Sequence, residues 1–355
     1  MLNKICFAYH WATSGGVERV FLNRGEALLG QYPKLEIEVY FNYDCGGGTL
    51  IQRYSKSRGL SDRLRVVRQF DPSRYEVVFV IDTPQLLTDY PAVADKMLME
   101  CHTPYAENRT YLKDWEHRLK TLVVPSSGFL PVVESEFPGL RGKIKVIRNF
   151  VPQLPPLEHS LSLPDWRGPV FLYFARIDEL KNFTEFIEGL SAAGRHFQTQ
   201  PLALVSGQVL PGFPVNELLE KNRVRGSVAI LPPVPFENSH VLMQMLRQKK
   251  AVFVSPSKGE SFGLSAAEAM TAGLPVILSD IPPHVALVSN RDKFLYRLGD
   301  VKGLAAKMAA AVEHYDQMSV ECVELAREFS VQAFLSDWER LFMGNVQALT
   351  GVVKS

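Results

Sequence analysis

What the 355-residue sequence lacks narrows its function first. Its four cysteines, Cys6, Cys45, Cys101 and Cys322, are scattered, with no CxxC pair and no Cys/His cluster. This argues against a structural zinc and favours a reducing compartment. Neither sign of charge is in excess: 39 Lys and Arg stand against 38 Asp and Glu, a net charge of +1. No overall field draws such a chain to nucleic acid, and any basic patch has to be local. No apolar run approaches the roughly 20 residues that span a bilayer. The opening "MLNKICFAYHW" turns polar too soon for a signal peptide. A cytoplasmic protein is expected, with contact to the inner face of the cell membrane left open. The usual nucleotide fingerprints are also missing. "HWATSGGVERV" has paired glycines but no G-x-G-x-x-G, and "SGQVLPGFPV" has glycines at P-loop spacing without the Lys-Ser/Thr that would follow. Dehydrogenase and P-loop readings both weaken, and no internal repeat or low-complexity tract offers another.

What is present is the composition of a soluble globular protein, 46% hydrophobic and 22% charged. The chain is longer than one core usually supports, so two domains are expected. Short β-branched and aromatic runs alternate with helical patterns throughout, the signature of parallel sheets with crossover helices. In the first half the strands are "KICFAYH", "EIEVYFNY", "LRVVRQF", "EVVFVID", "KMLMECH", "TLVVPS" and "KIKVIRNF". In the second half they are "PVFLYFA", "LALVSG", "VAILPP", "AVFVSP" and "PVILSD". Between the sets, "VPQLPPLEHSLSLPDWRGP" is proline-rich and lacks either periodicity, as a linker would. The expected architecture is α/β, with two Rossmann-like doubly wound domains facing across a cleft. Their bounds are 1–152 and 169–330, with a linker at 153–168. A C-terminal packing helix within 331–355 returns toward the first domain, because Phe334, Leu335, Trp338, Leu341 and Phe342 recur at helical spacing. Doubly wound sheets bind ligands beyond the carboxyl ends of their strands, which places the site there.

The most informative stretch is "SPSKGESFGLSAAEAM", where seven residues separate Glu260 from Glu268. "AVFVSP" reads as a buried strand and "LSAAEAMTA" as the helix that follows, so Glu260 falls in the loop and Glu268 on the helix. A lone glutamate on a helix is ordinarily half solvated. Here, however, Gly259, Gly263 and several alanines leave room for a ligand to approach the backbone, and the first helix amides form an anion site. An ionised carboxylate in such a setting needs strong donors. A ligand carrying both a phosphate and a diol would satisfy amides and carboxylates together.

"PSKGESFGLSAAEAMTAGLPVILSD" resembles the donor-site motif of family 4 of the retaining glycosyltransferases, which have the GT-B fold. The likeness continues in order along nearly the whole chain. "SGGVERV" is similar to the family's N-terminal glycine loop and "CHTPY" to the segment with its active-site histidine. "VVPSSGF" and "VIRNFVP" are similar to the end of its first domain, and "FARIDELKNF" to its Arg and Lys phosphate clamp. The chain departs from the pattern at Ala175 and Phe150, which stand where glycine is usual, and in "SDIPPHVALV", which lacks a glutamate often found there.

The resemblance implies metal-independent transfer of a hexose-type sugar from a nucleotide diphosphate sugar, with retention, to a glycan or glycolipid acceptor in cell-envelope polysaccharide or lipopolysaccharide synthesis. No cofactor or metal is implied beyond the donor substrate. His102, Glu260, Arg176 and Lys181 are the catalytic candidates. Glu268 would bind the ribose, Glu260 the donor sugar, and Arg176 with Lys181 the leaving diphosphate. Gly15, Gly16, Gly207, Val234, Phe262, Gly263 and Leu264 complete the donor-binding set. Trp11, Tyr105 and Arg109 are candidates for the acceptor side. The segment Arg53–Arg68 carries six basic residues and one acid, Asp62. It is either a solvated face or a contact for an anionic membrane or phosphorylated glycolipid. Two rival readings remain: a non-catalytic sugar-nucleotide-binding subunit, and a phosphorylase or epimerase on the same fold.

Overall fold

The computed structural model of the chain describes residues 2–13, 15–153, 166–342 and 349–351. It divides into two compact units, Met1–Pro152 with Val331–Ser355, and Gln153–Ser330. The expected linker at 153–168 lies largely outside the described residues, as do positions 343–348 and 352–355 of the C-terminal segment.

Unit 1 is built on β1 (Lys4–Ala12), β2 (Glu36–Asp44), β3 (Leu64–Val67), β4 (Val77–Ile81), β5 (Met97–Glu100), β6 (Leu122–Val124) and β7 (Ile144–Val146). Their order is β3-β2-β1-β4-β5-β6-β7, and every neighbouring pair is parallel. The central strands read as continuous apolar runs because helices cover both faces of the sheet: all five residues of β4 are buried. The helix Val331–Phe342 packs on this unit. Trp338 stacks on Phe79, and Phe334 stacks on Phe150 at 4.7 Å, so the phenylalanine found where the related pattern has glycine anchors the returning helix. Asp337 of that helix is buried and accepts from Arg148 Nε at 2.6 Å and Nη2 at 3.0 Å.

Unit 2 contains β8 (Val170–Phe174), β9 (Leu202–Ser206), β10 (Val228–Leu231), β11 (Val252–Ser255), β12 (Val276–Ser279) and β13 (Leu295–Tyr296). Their order is β10-β9-β8-β11-β12-β13, again parallel throughout. Each strand quoted above is present. The addition is β13, whose two residues are too few to carry a periodic signal.

Strand order reverses between β1 and β4 in unit 1 and between β8 and β11 in unit 2. Such a reversal opens a crevice at the carboxyl ends of its two strands. The loops after β1 and β4 hold Gly15, Gly16 and Asp82, and the loops after β8 and β11 hold Arg176, Lys181 and Glu260. No helix among the described residues is long and apolar enough to cross a membrane.

Candidate functional site

In unit 2 the loop after β8 is shaped by groups that sequence reasoning did not single out. The hydroxyl of buried Tyr173 donates to the carbonyls of Arg176 at 2.9 Å and Lys181 at 3.3 Å. Asp178, also buried, accepts from Arg176 Nε at 2.7 Å and from the Lys181 amide at 2.7 Å. One carboxylate thus ties the Arg176 side chain to the Lys181 backbone. Gly207, expected among the donor-binding residues, serves the same loop: a Cβ there would lie 1.8 Å from the Ala175 carbonyl oxygen. Two backbones meet at that point, and only glycine lets them. The Val234 amide donates to Ser206 Oγ at the end of β9, 3.3 Å away.

Lys181 Nζ reaches Glu260 Oε1 at 2.6 Å, and Ser257 Oγ donates to the same oxygen at 2.9 Å. Both side chains of the ion pair are 15% exposed. Burial works to raise the Glu260 carboxyl, but the Lys181 charge, His284 and the two hydrogen bonds outweigh it and hold the group below its ordinary value. Glu260 is therefore an ionised acceptor. Gly263 follows in the left-handed region at φ +97°, as the N-cap of the helix Leu264–Thr271. Glu268 lies on that helix, half-buried among Ala266, Ala267, Ala269 and Met270. Phe262 is buried edge-on against Phe329, and Leu264 opens the helix.

His284 is a further group at this site, in the segment where the related pattern has a glutamate. It is fully buried, and an atom added at Gly263 would lie 3.5 Å from its Cδ2 and 3.7 Å from its Nε2. Ser279 Oγ donates to the Ser257 carbonyl at 2.6 Å and also lies 3.1 Å from His284 Nδ1. Burial pushes this imidazole down to about 4, so it is neutral under ordinary conditions.

Unit 1 gathers its groups at the β1/β4 reversal. Gly15 caps the 16-residue helix Gly16–Gln31, and the buried carboxylate of Glu18 accepts from the amides of Thr13 and Gly15, the latter at 2.8 Å. Glu18 thereby shapes the glycine loop. His102 follows β5 and is 6% exposed. Its amide donates to both oxygens of Asp82 at 3.1 Å, and its Nε2 lies 2.7 Å from Glu100 Oε2. Asp82 sits at φ +45°, a strained backbone for a residue with a side chain, and also accepts from the Tyr111 hydroxyl at 3.0 Å. Burial raises the Asp82 carboxyl. Behind Glu100 stands Arg24 of the Gly16–Gln31 helix, whose Nη1 donates to both Glu100 oxygens at 2.9 Å.

The expected acceptor-side residues separate. Trp11 is 45% exposed and stacks at 4.7 Å on Tyr43, itself 54% exposed and its register partner on β2. His10 meets both rings edge-on. Tyr105 is half-buried in the loop after His102. Arg109, by contrast, is turned inward: it is 3% exposed, donates to both Glu136 oxygens and to the Thr103 carbonyl, and lies over the Phe129 ring. Its charge is used to hold the loop after His102. In Arg53–Arg68, Arg63 is bound to three backbone carbonyls, Arg65 pairs with Glu36, and Arg58 lies over Tyr54, which leaves less free charge than the sequence suggests.

Comparison with known proteins bears on the fold and on the second half of the chain. Residues 162–329 match the family model described as Glycosyl transferases group 1. Over 172 residues the chain is 31% identical to GDP-mannose:cellobiosyl-diphosphopolyprenol alpha-mannosyltransferase of Xanthomonas oryzae pv. oryzae, a match covering 46% of this chain and 43% of that protein. The chain thus spans less than half the length of the curated relatives it matches. Among solved structures, sucrose-phosphate synthase from Thermosynechococcus elongatus aligns with a TM-score of 0.75 at 17% identity, over 96% of this chain and 98% of that one. The Anabaena protein HepE in complex with UDP-glucose aligns with a TM-score of 0.74 at 15% identity, over 97% and 100%. The fold is GT-B, two parallel α/β domains of seven and six strands.

Proposed function

We propose that this chain is a retaining, metal-independent glycosyltransferase that moves a hexose-type sugar from a nucleotide diphosphate sugar to a glycan or glycolipid acceptor. The observation that carries the reading is the cluster of Lys181, Glu260 and Ser257 beside the Gly263 helix start, at the β8/β11 reversal and inside the matched segment. It offers cations and amides for a diphosphate and an ionised carboxylate for hydroxyls, within one loop's reach. Lys181 has three donors, so it can keep Glu260 with one and meet a phosphate oxygen with another. Arg176 adds a second cation through its Nη groups while Asp178 holds Nε. Glu268 takes the ribose, and Glu260 takes the sugar.

In unit 1, the Gly15–Gly16 loop offers helix amides suited to a phosphate, and His102 offers its ring to a sugar hydroxyl. The Trp11–Tyr43 stack receives the acceptor's sugar faces, while Arg109 supports the loop from within. The Xanthomonas relative's name specifies a cellobiosyl-diphosphopolyprenol acceptor, which supports a glycolipid acceptor here; envelope synthesis at the cytoplasmic membrane face is part of the same proposal. A melting panel with UDP, GDP and ADP tests the donor: one nucleotide present at 100 times its dissociation constant stabilises the fold by about 2.7 kcal/mol. If no nucleotide raises the melting temperature and no nucleotide sugar is hydrolysed without acceptor, the reading fails.

A further inference from the structure

Arg24, Glu100 and His102 form a buried chain, at 1%, 0% and 6% exposure. Glu100 is the middle member, with Arg24 Nη1 at 2.9 Å from each oxygen and His102 Nε2 at 2.7 Å from Oε2. As a stabilising device the chain is poorly made: Arg24 Nε and Nη2 are buried without a hydrogen-bond partner among the described residues. A buried ion pair with orphaned donors is worth less to the fold than apolar side chains of the same volume. The geometry at His102 supplies another use for it.

We propose that the Arg24–Glu100 pair is a positioning device for His102, which holds the imidazole in the tautomer protonated at Nε2 and so makes Nδ1 the working atom. Burial works to raise the Glu100 carboxyl, but Arg24 and the His102 contact keep it below its ordinary value and therefore ionised. An ionised carboxylate only accepts, so the proton between it and the ring belongs to His102 Nε2. The other ring nitrogen, Nδ1, makes no hydrogen bond among the described residues and is left to a ligand. His102 thus turns Nδ1, and not Nε2, toward a ligand hydroxyl. Asp82 fixes the backbone of the same residue, so ring and main chain are held by two separate carboxylates. Arg24 lies on the helix that starts at the glycine loop, which ties the orientation of His102 to the element carrying Gly16. The inference rests on the proposed function for its ligand and stands on geometry for its tautomer.

The test has two independent readouts. Imidazole nitrogen NMR of the full chain, with the His102 signals assigned from His102→Asn, reports the tautomer directly. The expected result is a protonated Nε2 and a bare Nδ1, and a protonated Nδ1 at neutral pH overturns the proposal. The double variant Arg24→Met, Glu100→Leu removes the pair without leaving a buried charge. It is expected to keep its melting temperature while acceptor-free hydrolysis of UDP-glucose or GDP-mannose falls on the order of 10-fold to 100-fold in kcat with KM little changed, as for other groups that orient a functional side chain. Full kcat in a folded double variant also overturns it. If the double variant does not fold, the wild-type tautomer decides. If His102→Asn hydrolyses donor as fast as the wild type, it is the assignment of His102 to the reaction that fails, whatever the tautomer.

Discussion

Lys181 Nζ and Glu260 Oε1, 79 residues apart in the chain, lie 2.6 Å from one another. The proposed phosphate clamp and the proposed sugar carboxylate are therefore one electrostatic unit before any ligand arrives. Removing Lys181 leaves Glu260 as an uncompensated, nearly buried anion, and removing Glu260 leaves an ammonium with a single neighbour fewer. A double-mutant cycle of Lys181→Ala and Glu260→Ala, read by urea unfolding, is expected to give a coupling of about 1–3 kcal/mol. Additive effects within about 0.5 kcal/mol would mean that the pair does not act as a unit in solution.

The two glutamates are proposed to hold different parts of the donor. Glu268→Ala is expected to weaken binding of the free nucleotide diphosphate and of the nucleotide sugar alike, by about 1.5–3 kcal/mol for lost charged hydrogen bonds. Glu260→Ala should not weaken the free nucleotide, because it frees Lys181 for the phosphates, and should lower transfer. Titration calorimetry with nucleotide and with nucleotide sugar distinguishes them, and an equal loss of nucleotide affinity in both variants contradicts the assignment.

His284 makes unit 2 sensitive to mild acid. Its folded-state value of about 4 is below the 6.5 of a free imidazole. Between those values the unfolded chain binds more protons than the folded one, so stability is complete above pH 6.5 and falls as pH drops toward 4. A shift of this size corresponds to about 3 kcal/mol. Glu260, held below its ordinary value, adds a loss in the same direction once the pH passes below the normal carboxylate range. The urea midpoint should fall steadily from pH 7 to pH 4.5, and His284→Asn should flatten that dependence. An unchanged slope in the variant would show that the acid sensitivity arises elsewhere.

The sheets were legible because buried parallel strands are written as unbroken apolar runs, and "EVVFVID" or "PVILSD" admits no other reading of comparable length. Glu260 and Glu268 stood out because carboxylates are rare among glycine and alanine. Asp82, Glu100, Asp178 and His284 did not stand out. Asp82 and Asp178 lie in loops, Glu100 ends a strand and His284 sits on the short helix Pro282–Leu287; a lone polar residue in such a place carries no mark, and the partner of Glu100, Arg24, is 76 residues away. Gly207 was visible as a glycine, but its reason, the Ala175 carbonyl 1.8 Å from an added Cβ, is a contact between two strand ends. Trp11 was visible too, while its stack with Tyr43 depends on the β1/β2 register. Arg109 shows the converse, since its sequence neighbourhood suggests a surface that Glu136 and the Thr103 carbonyl have taken.

The diphosphate is expected to leave without a metal. Enzymes that use magnesium for this step aim carboxylates at the phosphates. Here Glu260 is bound to Lys181 and Ser257, and Asp178 to Arg176 and the Lys181 amide, so the acids near the clamp are already serving its cations. Arg176, Lys181 and the amides at Gly263 are proposed to meet the negative charge that grows as the sugar bond breaks. A preorganised donor of this kind typically contributes on the order of 100-fold to 1,000-fold in rate. Turnover should therefore survive EDTA, while Lys181→Ala and Arg176→Ala each lose most of it. Both variants are expected to lose some stability as well, since Lys181→Ala strands Glu260 and Arg176→Ala leaves the buried Asp178 without its cation, though still holding the Lys181 amide. Loss of transfer in EDTA, restored by magnesium or manganese, would assign the leaving-group chemistry to a metal and not to these cations.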